Sequence, residues 1–198
     1  DDAGSKVLTW GMAGSPLVFD DLVVVNAGGN NDAALIAYDR HSGKRVWAAG
    51  NGDASYSSPR LVEIDGQRQI LNFAGDGLYD QEAETGRELW SFAWVASPKV
   101  NAVVPYLIDD SQILIASGYG MGATLLDVQR DGDAWAVEQV WKSIRLKAKF
   151  NDVVVRDGYV YGLDEGVLTC LDLKTGERKW KSGRYGYGQI LLLDNLLL

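Results

Sequence analysis

Four acidic residues in the middle of the chain could do chemistry. Asp76, Asp80, Glu82 and Glu84 stand at near-alternate positions, and carboxylates in such groups serve as calcium ligands or as the acid pair of a glycosidase. Some of them, however, fall inside a repeated motif, and the rest flank turns. We therefore interpret them as solvated acids of strands and turns.

Three further features imitate functional sites. The run from Gly118 to Gly122 is glycine-rich, like a phosphate loop, but a strand-like segment follows it where a phosphate site needs a helix N-terminus. His41 is the only histidine and stands in a turn, so we interpret it as a turn residue. Cys170 is the only cysteine and takes the place of a small residue in the motif, which favours buried packing.

The elements that hold these residues repeat along the chain. Residues 37–47, 80–90 and 170–180 align without a gap, each with a Gly followed four residues later by a Trp, and residues 126–141 form a fourth copy with a longer turn. Trp10 resembles the tail of a further copy. The tryptophans at 10, 47, 90, 141 and 180 are 37, 43, 51 and 39 residues apart, which matches the roughly 40 to 50 residues of a four-stranded blade.

Short Val- and Leu-rich strands precede each copy, and Asp-Gly pairs at 65–66, 76–77, 131–132 and 157–158 predict tight hairpins. The sequence thus predicts an all-β chain, a β-propeller of four-stranded antiparallel blades forming one domain over residues 1–198. We expect a blade tail at 1–10, blades at about 11–48, 49–91, 92–142 and 143–181, and the start of another at 182–198. Burial between sheets is predicted for Trp47, Trp90, Trp141 and Trp180, with Gly43, Gly86 and Gly176 in the turns before them.

One copy of the motif carries a family resemblance. Ala37, Asp39, Gly43, Lys44 and Trp47 form a pattern that resembles the tryptophan-docking repeat of the pyrroloquinoline-quinone (PQQ)-like β-propellers. The resemblance extends over nearly the whole chain. This family includes quinoprotein alcohol dehydrogenases and the propeller lipoprotein of the outer-membrane β-barrel assembly machinery. Since its members close eight blades, the resemblance implies that this chain is a fragment, with about half of such a ring.

The same resemblance bears on function. Quinoprotein enzymes are similar in using a vicinal cysteine pair, a stacking Trp and a calcium ion held by Glu, Asn and Asp, whereas this chain has a single cysteine. We therefore predict no catalytic residue, cofactor or metal, and a non-catalytic propeller that binds proteins or acts as a scaffold. The family places it in the periplasm or outside the cell, with a lipid anchor beyond this sequence left open. The alternative is a PQQ-dependent alcohol dehydrogenase whose cofactor residues lie in other blades.

In a propeller, the connections between blades gather on one face, where ligands and partners meet loops. Residues 49–58, 91–101, 142–151 and 181–188 are these connections, and Arg145, Lys147 and Lys149 alternate within the third. Tyr, Trp and Arg side chains anchor protein interfaces. The candidate partner-binding residues are Tyr56, Trp94, Lys99, Asn101, Lys149, Arg184, Tyr185 and Tyr187.

Charge and hydropathy exclude other classes of partner. The chain has 19 Lys and Arg against 27 Asp and Glu, a net charge of −8, which argues against a nucleic-acid binder. Its apolar runs are far shorter than the roughly 18 residues of a membrane helix, so a transmembrane protein is not predicted either. The partner that we predict is therefore another protein.

Overall fold

The computed structural model describes residues 3–29 and 32–198, and it confirms the all-β prediction. These described residues form four four-stranded sheets and a two-stranded hairpin, and in each sheet the strands lie in sequence order and pair antiparallel. Over the described residues, no helix has the length and apolar character needed to cross a membrane.

Each sheet takes its four strands from consecutive segments of the chain. Sheet 1 consists of β1 (Leu17–Phe19), β2 (Leu22–Gly29), β3 (Ala33–Asp39) and β4 (Arg45–Ala49). Sheet 2 consists of β5 (Arg60–Ile64), β6 (Gln67–Phe73), β7 (Gly77–Glu82) and β8 (Glu88–Ala93). Sheet 3 consists of β9 (Tyr106–Leu107), β10 (Gln112–Ser117), β11 (Gly122–Asp131) and β12 (Ala134–Ser143). Sheet 4 consists of β13 (Val154–Arg156), β14 (Tyr159–Asp164), β15 (Val167–Asp172) and β16 (Arg178–Arg184), and the hairpin of β17 (Leu192–Leu193) and β18 (Leu196–Leu197) follows it.

The Asp-Gly pairs make turns at three of the four predicted places. Both residues have positive φ at Asp65-Gly66 and at Asp157-Gly158, and Gly132 has a φ of 62° at the tip of the long β11–β12 hairpin. Gly77 instead begins β7, so the prediction of a positive-φ turn there is wrong. The glycine is needed at that place for space, because an added Cβ would lie 2.7 Å from the Phe92 carbonyl oxygen.

Three apolar clusters join the sheets in sequence order. One cluster joins Leu35 and Trp47 of sheet 1 to Ile70 of sheet 2. A second joins sheet 2 to sheet 3, and a third joins sheet 3 to sheet 4. Both faces of sheets 2 and 3 are therefore covered by neighbours, which is how a four-stranded sheet with two apolar faces becomes stable.

The repeated tryptophans contact the turn glycine of the next sheet. The Trp47 ring lies so close to Gly86 that an added Cβ would be 2.6 Å from it, and Trp141 stands in the same relation to Gly176. The Trp141 indole N–H also donates to the Leu173 carbonyl oxygen at 2.8 Å. Trp90 also packs in a cluster between two sheets, but no atom lies within 4 Å of a Cβ added at Gly132, in the longer hairpin of the next sheet.

Two tryptophans depart from the predicted packing. Trp180 is 42% exposed, because no further turn glycine covers it, and the Tyr161 ring lies 6.0 Å away. Trp10 is 65% exposed and contacts the Tyr56 ring instead of ending an outer strand. Residues 6–10 form no strand and belong to none of the described sheets.

The β17–β18 hairpin contacts sheet 4 through an arginine and a turn, as sheets 1 and 2 contact each other. The Arg156 guanidinium of sheet 4 donates to the Asp194 carbonyl oxygen and to Asn195 Oδ1 in the turn of the hairpin. Arg68 of sheet 2 similarly donates to Asp20 in the first turn of sheet 1, at 2.7 Å. The β17–β18 hairpin thus lies against sheet 4, as the first two strands of a following sheet would.

A buried acid makes stability depend on pH. Asp80 faces Trp90 in the strand register, and burial, with a smaller effect of the Glu88 charge, raises the pKa of Asp80 well above its usual value. With its amide nitrogen turned toward the acid, Gln69 donates to Asp80 Oδ1 at 2.9 Å and Oδ2 at 3.1 Å. The contribution of Asp80 to stability is full below the unfolded pKa of 3.8 and is lost as pH rises through the raised pKa.

We therefore expect Asp80→Asn to unfold at higher urea concentration than the wild type at about pH 8, with the difference vanishing toward about pH 4. Asp39→Asn is the control, because hydrogen bonds from Ser42 lower the pKa of half-buried Asp39. The Asp39 carboxylate therefore stabilises the fold at neutral pH and loses this effect in acid. We expect Asp39→Asn to be less stable than the wild type at about pH 8, with the difference shrinking as the pH falls. Urea titrations across this pH range that give both variants the same trend would contradict the assignment.

Candidate protein-binding face

Antiparallel pairing brings two kinds of loop to the same end of the strands in every sheet. The fourth strand of a sheet ends where the next connection begins, and the turn between the second and third strands lies at that same end. We call the surface at this end the connection face, which is formed by residues 50–59, 94–105, 144–153 and 185–191 together with the turn at 118–121. The turn glycines of the repeat lie at the opposite end of the strands.

Two predicted partner-binding residues are buried in this face and hold it together. Trp94 is 2% exposed, and its indole N–H donates to Ser117 Oγ at 2.7 Å. Asn101 is fully buried, with its backbone N–H donating to Ser55 Oγ at 2.8 Å and its Nδ2 donating to the Ala74 carbonyl oxygen at 2.7 Å. We correct the prediction for both, because buried side chains cannot anchor a partner: Trp94 joins sheet 2 to sheet 3, and Asn101 joins the second connection to the first connection and to sheet 2.

Tyr56 lies in the first connection and Lys99 in the second, and their contacts join these two connections. The Tyr56 backbone N–H donates to the Asn101 carbonyl oxygen at 3.0 Å, and its ring contacts Trp10 at 5.7 Å. The Lys99 ammonium pairs with Asp53 Oδ2, and that hydrogen bond raises the pKa of Lys99. Its charge is thus already matched inside the chain.

Among the residues that the structure describes, Lys149 has no carboxylate partner of the kind that Lys99 has, and its ammonium lies among aromatic rings that include Tyr187. The Lys149 ammonium lies 4.4 Å from the centre of the Tyr119 ring, 5.3 Å from that of Tyr187 and 5.5 Å from that of Phe150. The Phe150 and Tyr187 rings meet edge to face at 6.0 Å. We call these four residues the Lys149 cluster, a cation held by three aromatic rings from two connections and one turn.

Arg184 and Tyr185 lie on the chain segment that leads to Tyr187. Arg184 is exposed at the end of β16. The Tyr185 backbone N–H donates to the Gly166 carbonyl oxygen at 2.7 Å, while its side chain is 65% exposed. Both are available at the surface.

The alternating cations at 145, 147 and 149 do not share a surface. Lys147 turns inward, where its backbone N–H and its ammonium reach Oδ1 of buried Asp164 at 3.0 and 2.6 Å, and Lys181 bonds the other oxygen. Burial alone would raise the pKa of Asp164, but the hydrogen bonds from Lys147 and Lys181 lower it below its usual value. This triad fastens the third connection to sheet 4.

Sequence reasoning missed two members of the Lys149 cluster. Tyr119 stands inside the glycine-rich run, which we had considered only as a phosphate loop, and its φ of 54° is unusual for a residue with a side chain. Phe150 directly follows Lys149 and is 46% exposed. An exposed aromatic beside a predicted interface lysine was the available signal.

The residues present do not fit a quinone cofactor. Cys170 is 2% exposed and pairs with Trp180 in the strand register, and burial raises the pKa of its thiol. A vicinal cysteine pair is impossible with one cysteine. Within residues 3–29 and 32–198, no three His, Cys, Asp or Glu side chains come together in a group that could hold a metal ion.

Consecutive four-stranded sheets that pack face to face and present their connections at one end of the strands define a β-propeller. The chain belongs to the family of the outer membrane protein assembly factor BamB, whose model matches residues 5–182. Among curated proteins, no match to this chain was found.

Solved structures share the fold at low sequence identity. BamB from Moraxella catarrhalis is 18% identical with a TM-score of 0.65, and the match covers 94% of this chain and 57% of that one. The quinohemoprotein alcohol dehydrogenase from Comamonas testosteroni is 13% identical with a TM-score of 0.61, covering 96% and 38%. The computationally designed Ika8 protein is 10% identical with a TM-score of 0.55, covering 92% and 53%. This chain therefore spans less than two thirds of each of these three.

Proposed function

We propose that this chain is a non-catalytic propeller that binds a partner protein through its connection face and acts as a scaffold in the periplasm. The observation that carries the proposal is the Lys149 cluster, where Phe150 is 46% and Tyr187 52% exposed around a cation. Large aromatic side chains and cations at a surface are typical of interface anchors. Membership of the BamB family supports the scaffold role and the envelope location.

A triple variant tests the face. Changing Arg184, Tyr185 and Tyr187 to Ala is expected to abolish partner capture while leaving the melting temperature unchanged, because these exposed side chains anchor an interface without filling the core. The measurement is photo-crosslinking in the envelope of the producing cells, with a photoreactive residue at 150 in both the parent and the triple variant. A photoreactive residue at 133, in the exposed tip opposite the connection face, is the control.

Equal crosslinking from 150 and 133, or an unchanged yield in the triple variant, would contradict the proposal.

The competing enzyme function has its own test. Because this alternative puts the cofactor residues in other blades, the test incubates the whole protein with PQQ and calcium, and we expect neither stoichiometric binding nor dye-linked alcohol oxidation. Stoichiometric binding of PQQ would favour the dehydrogenase instead.

A further inference from the structure

We propose that the Lys149 cluster binds an extended acidic segment of the partner protein, with one carboxylate of that segment on the Lys149 ammonium and its neighbouring apolar side chains on Tyr119, Phe150 and Tyr187. The proposal rests on the function proposed above and names the chemistry of the partner at the same site.

The first argument is that the Lys149 charge is unmatched. Lys99, in the preceding connection, pairs with Asp53, and Lys147 pairs with buried Asp164. For Lys149, the described part of the chain supplies three aromatic rings and no carboxylate. An ammonium has three N–H donors, and ring faces leave room for a charged acceptor. A carboxylate is therefore the ligand that this cation lacks.

The second argument is that the cluster is held in place before any partner arrives. The Lys149 stem packs so closely on Gly118 that an added Cβ there would lie 2.7 Å from Lys149 Cγ. The Gln189 side-chain amide donates to the Phe150 carbonyl oxygen at 2.6 Å, which joins the third and fourth connections. A preformed site loses less conformational entropy on binding, so a short segment is enough to occupy it.

The third argument separates a protein segment from other anions. The chain has a net charge of −8, and its long-range field therefore disfavours polyanions such as nucleic acids or an anionic membrane. One partly buried ammonium among exposed aromatic rings instead suits a carboxylate flanked by apolar side chains. An extended strand presents such side chains at short, regular intervals.

The test uses fluorescence anisotropy of the full chain with a short labelled peptide that carries one Glu between Leu residues, and with a matched peptide that carries Gln in place of that Glu. We expect the Glu peptide to bind and the Gln peptide to bind about tenfold more weakly, the factor for one charge-assisted hydrogen bond. Lys149→Met keeps the stem on Gly118 and removes the charge, so it is expected to weaken the Glu peptide about tenfold as well.

Lys99→Met is the matched control, because its charge is already paired with Asp53, and we expect its affinity to stay within about twofold. Lys149→Arg keeps the charge and is expected to retain binding. Equal binding of the two peptides, or a Lys149→Met variant that binds normally, would overturn the proposal. So would Lys149-dependent binding to vesicles of phosphatidylglycerol in preference to the peptide, or a Lys149-dependent dimer in sedimentation.

The two proposals fail separately. In one outcome, the residue at 150 crosslinks to a protein partner, this capture requires Arg184, Tyr185 and Tyr187, and the Glu peptide does not bind. The proposal of an acidic ligand is then wrong, and the proposed protein-binding face is retained. If crosslinking from 150 is lost as well, both are wrong.

Discussion

Trp141→Ala is expected to lower the free energy of unfolding by about 3 to 5 kcal/mol, the usual cost of removing a buried aromatic side chain. Trp141 is 9% exposed, joins the cluster between sheets 3 and 4 and packs against Gly176. Its indole N–H bond to Leu173 adds to the loss. Urea denaturation followed by circular dichroism measures the change.

Trp180→Ala is the matched control for this prediction. Trp180 occupies the same place in the repeat but is 42% exposed and lacks a glycine-bearing turn beyond it. We expect its removal to cost only about 1 to 2 kcal/mol, since partly exposed side chains bury less area. Similar losses in the two variants would show that contact with the next sheet is not what stabilises Trp141.

The second large effect is expected for Gly176→Ala, at about 2 to 4 kcal/mol. Gly176 has a φ of 68°, where an L side chain is strained, and its added Cβ would lie 2.6 Å from the Trp141 ring. Strain in the left-handed region and overpacking against a large ring both contribute. Thermal and urea unfolding of the variant measure the sum.

Gly43→Ala separates the two contributions. Gly43 has a φ of 67° in the equivalent turn of sheet 1, but no atom lies within 4 Å of an added Cβ. We expect a cost of about 1 to 2 kcal/mol from the backbone alone. If Gly43→Ala and Gly176→Ala lose equal stability, the tryptophan contact contributes nothing to the glycine requirement.

The fold was readable from the sequence because the motif marks the same structural place in each sheet. A glycine four residues before a tryptophan predicted the turn before β4, β8 and β16, and the longer copy predicted the extended β11–β12 hairpin. The exposure of Trp10 and Trp180 was not predictable from the motif. The burial of a tryptophan in the repeat depends on the sheet that follows it, whereas the motif describes only the sheet to which the tryptophan belongs.

The candidate face was predicted less completely, for a related reason. Position in a connection told us that Lys149 and Tyr187 were near one edge, but it did not tell us which side chains turn inward. Trp94 is of a residue type that anchors interfaces and Asn101 is a polar loop residue, yet hydrogen bonds to Ser117 and to Ala74 hold both inside the protein. Pairing across separate connections, as between Lys149 and Tyr187, has no signature in local sequence.

The contact of Trp47 and Trp141 with the turn of the following sheet also has a direction in time. Both rings are covered by residues that leave the ribosome later, at Gly86 and Gly176. A nascent chain therefore carries an uncovered indole from the synthesis of each of these two tryptophans until its covering turn has been made. Translation would bury these rings one after another from the N-terminus, and a chaperone that recognises exposed aromatic side chains would meet each of them once.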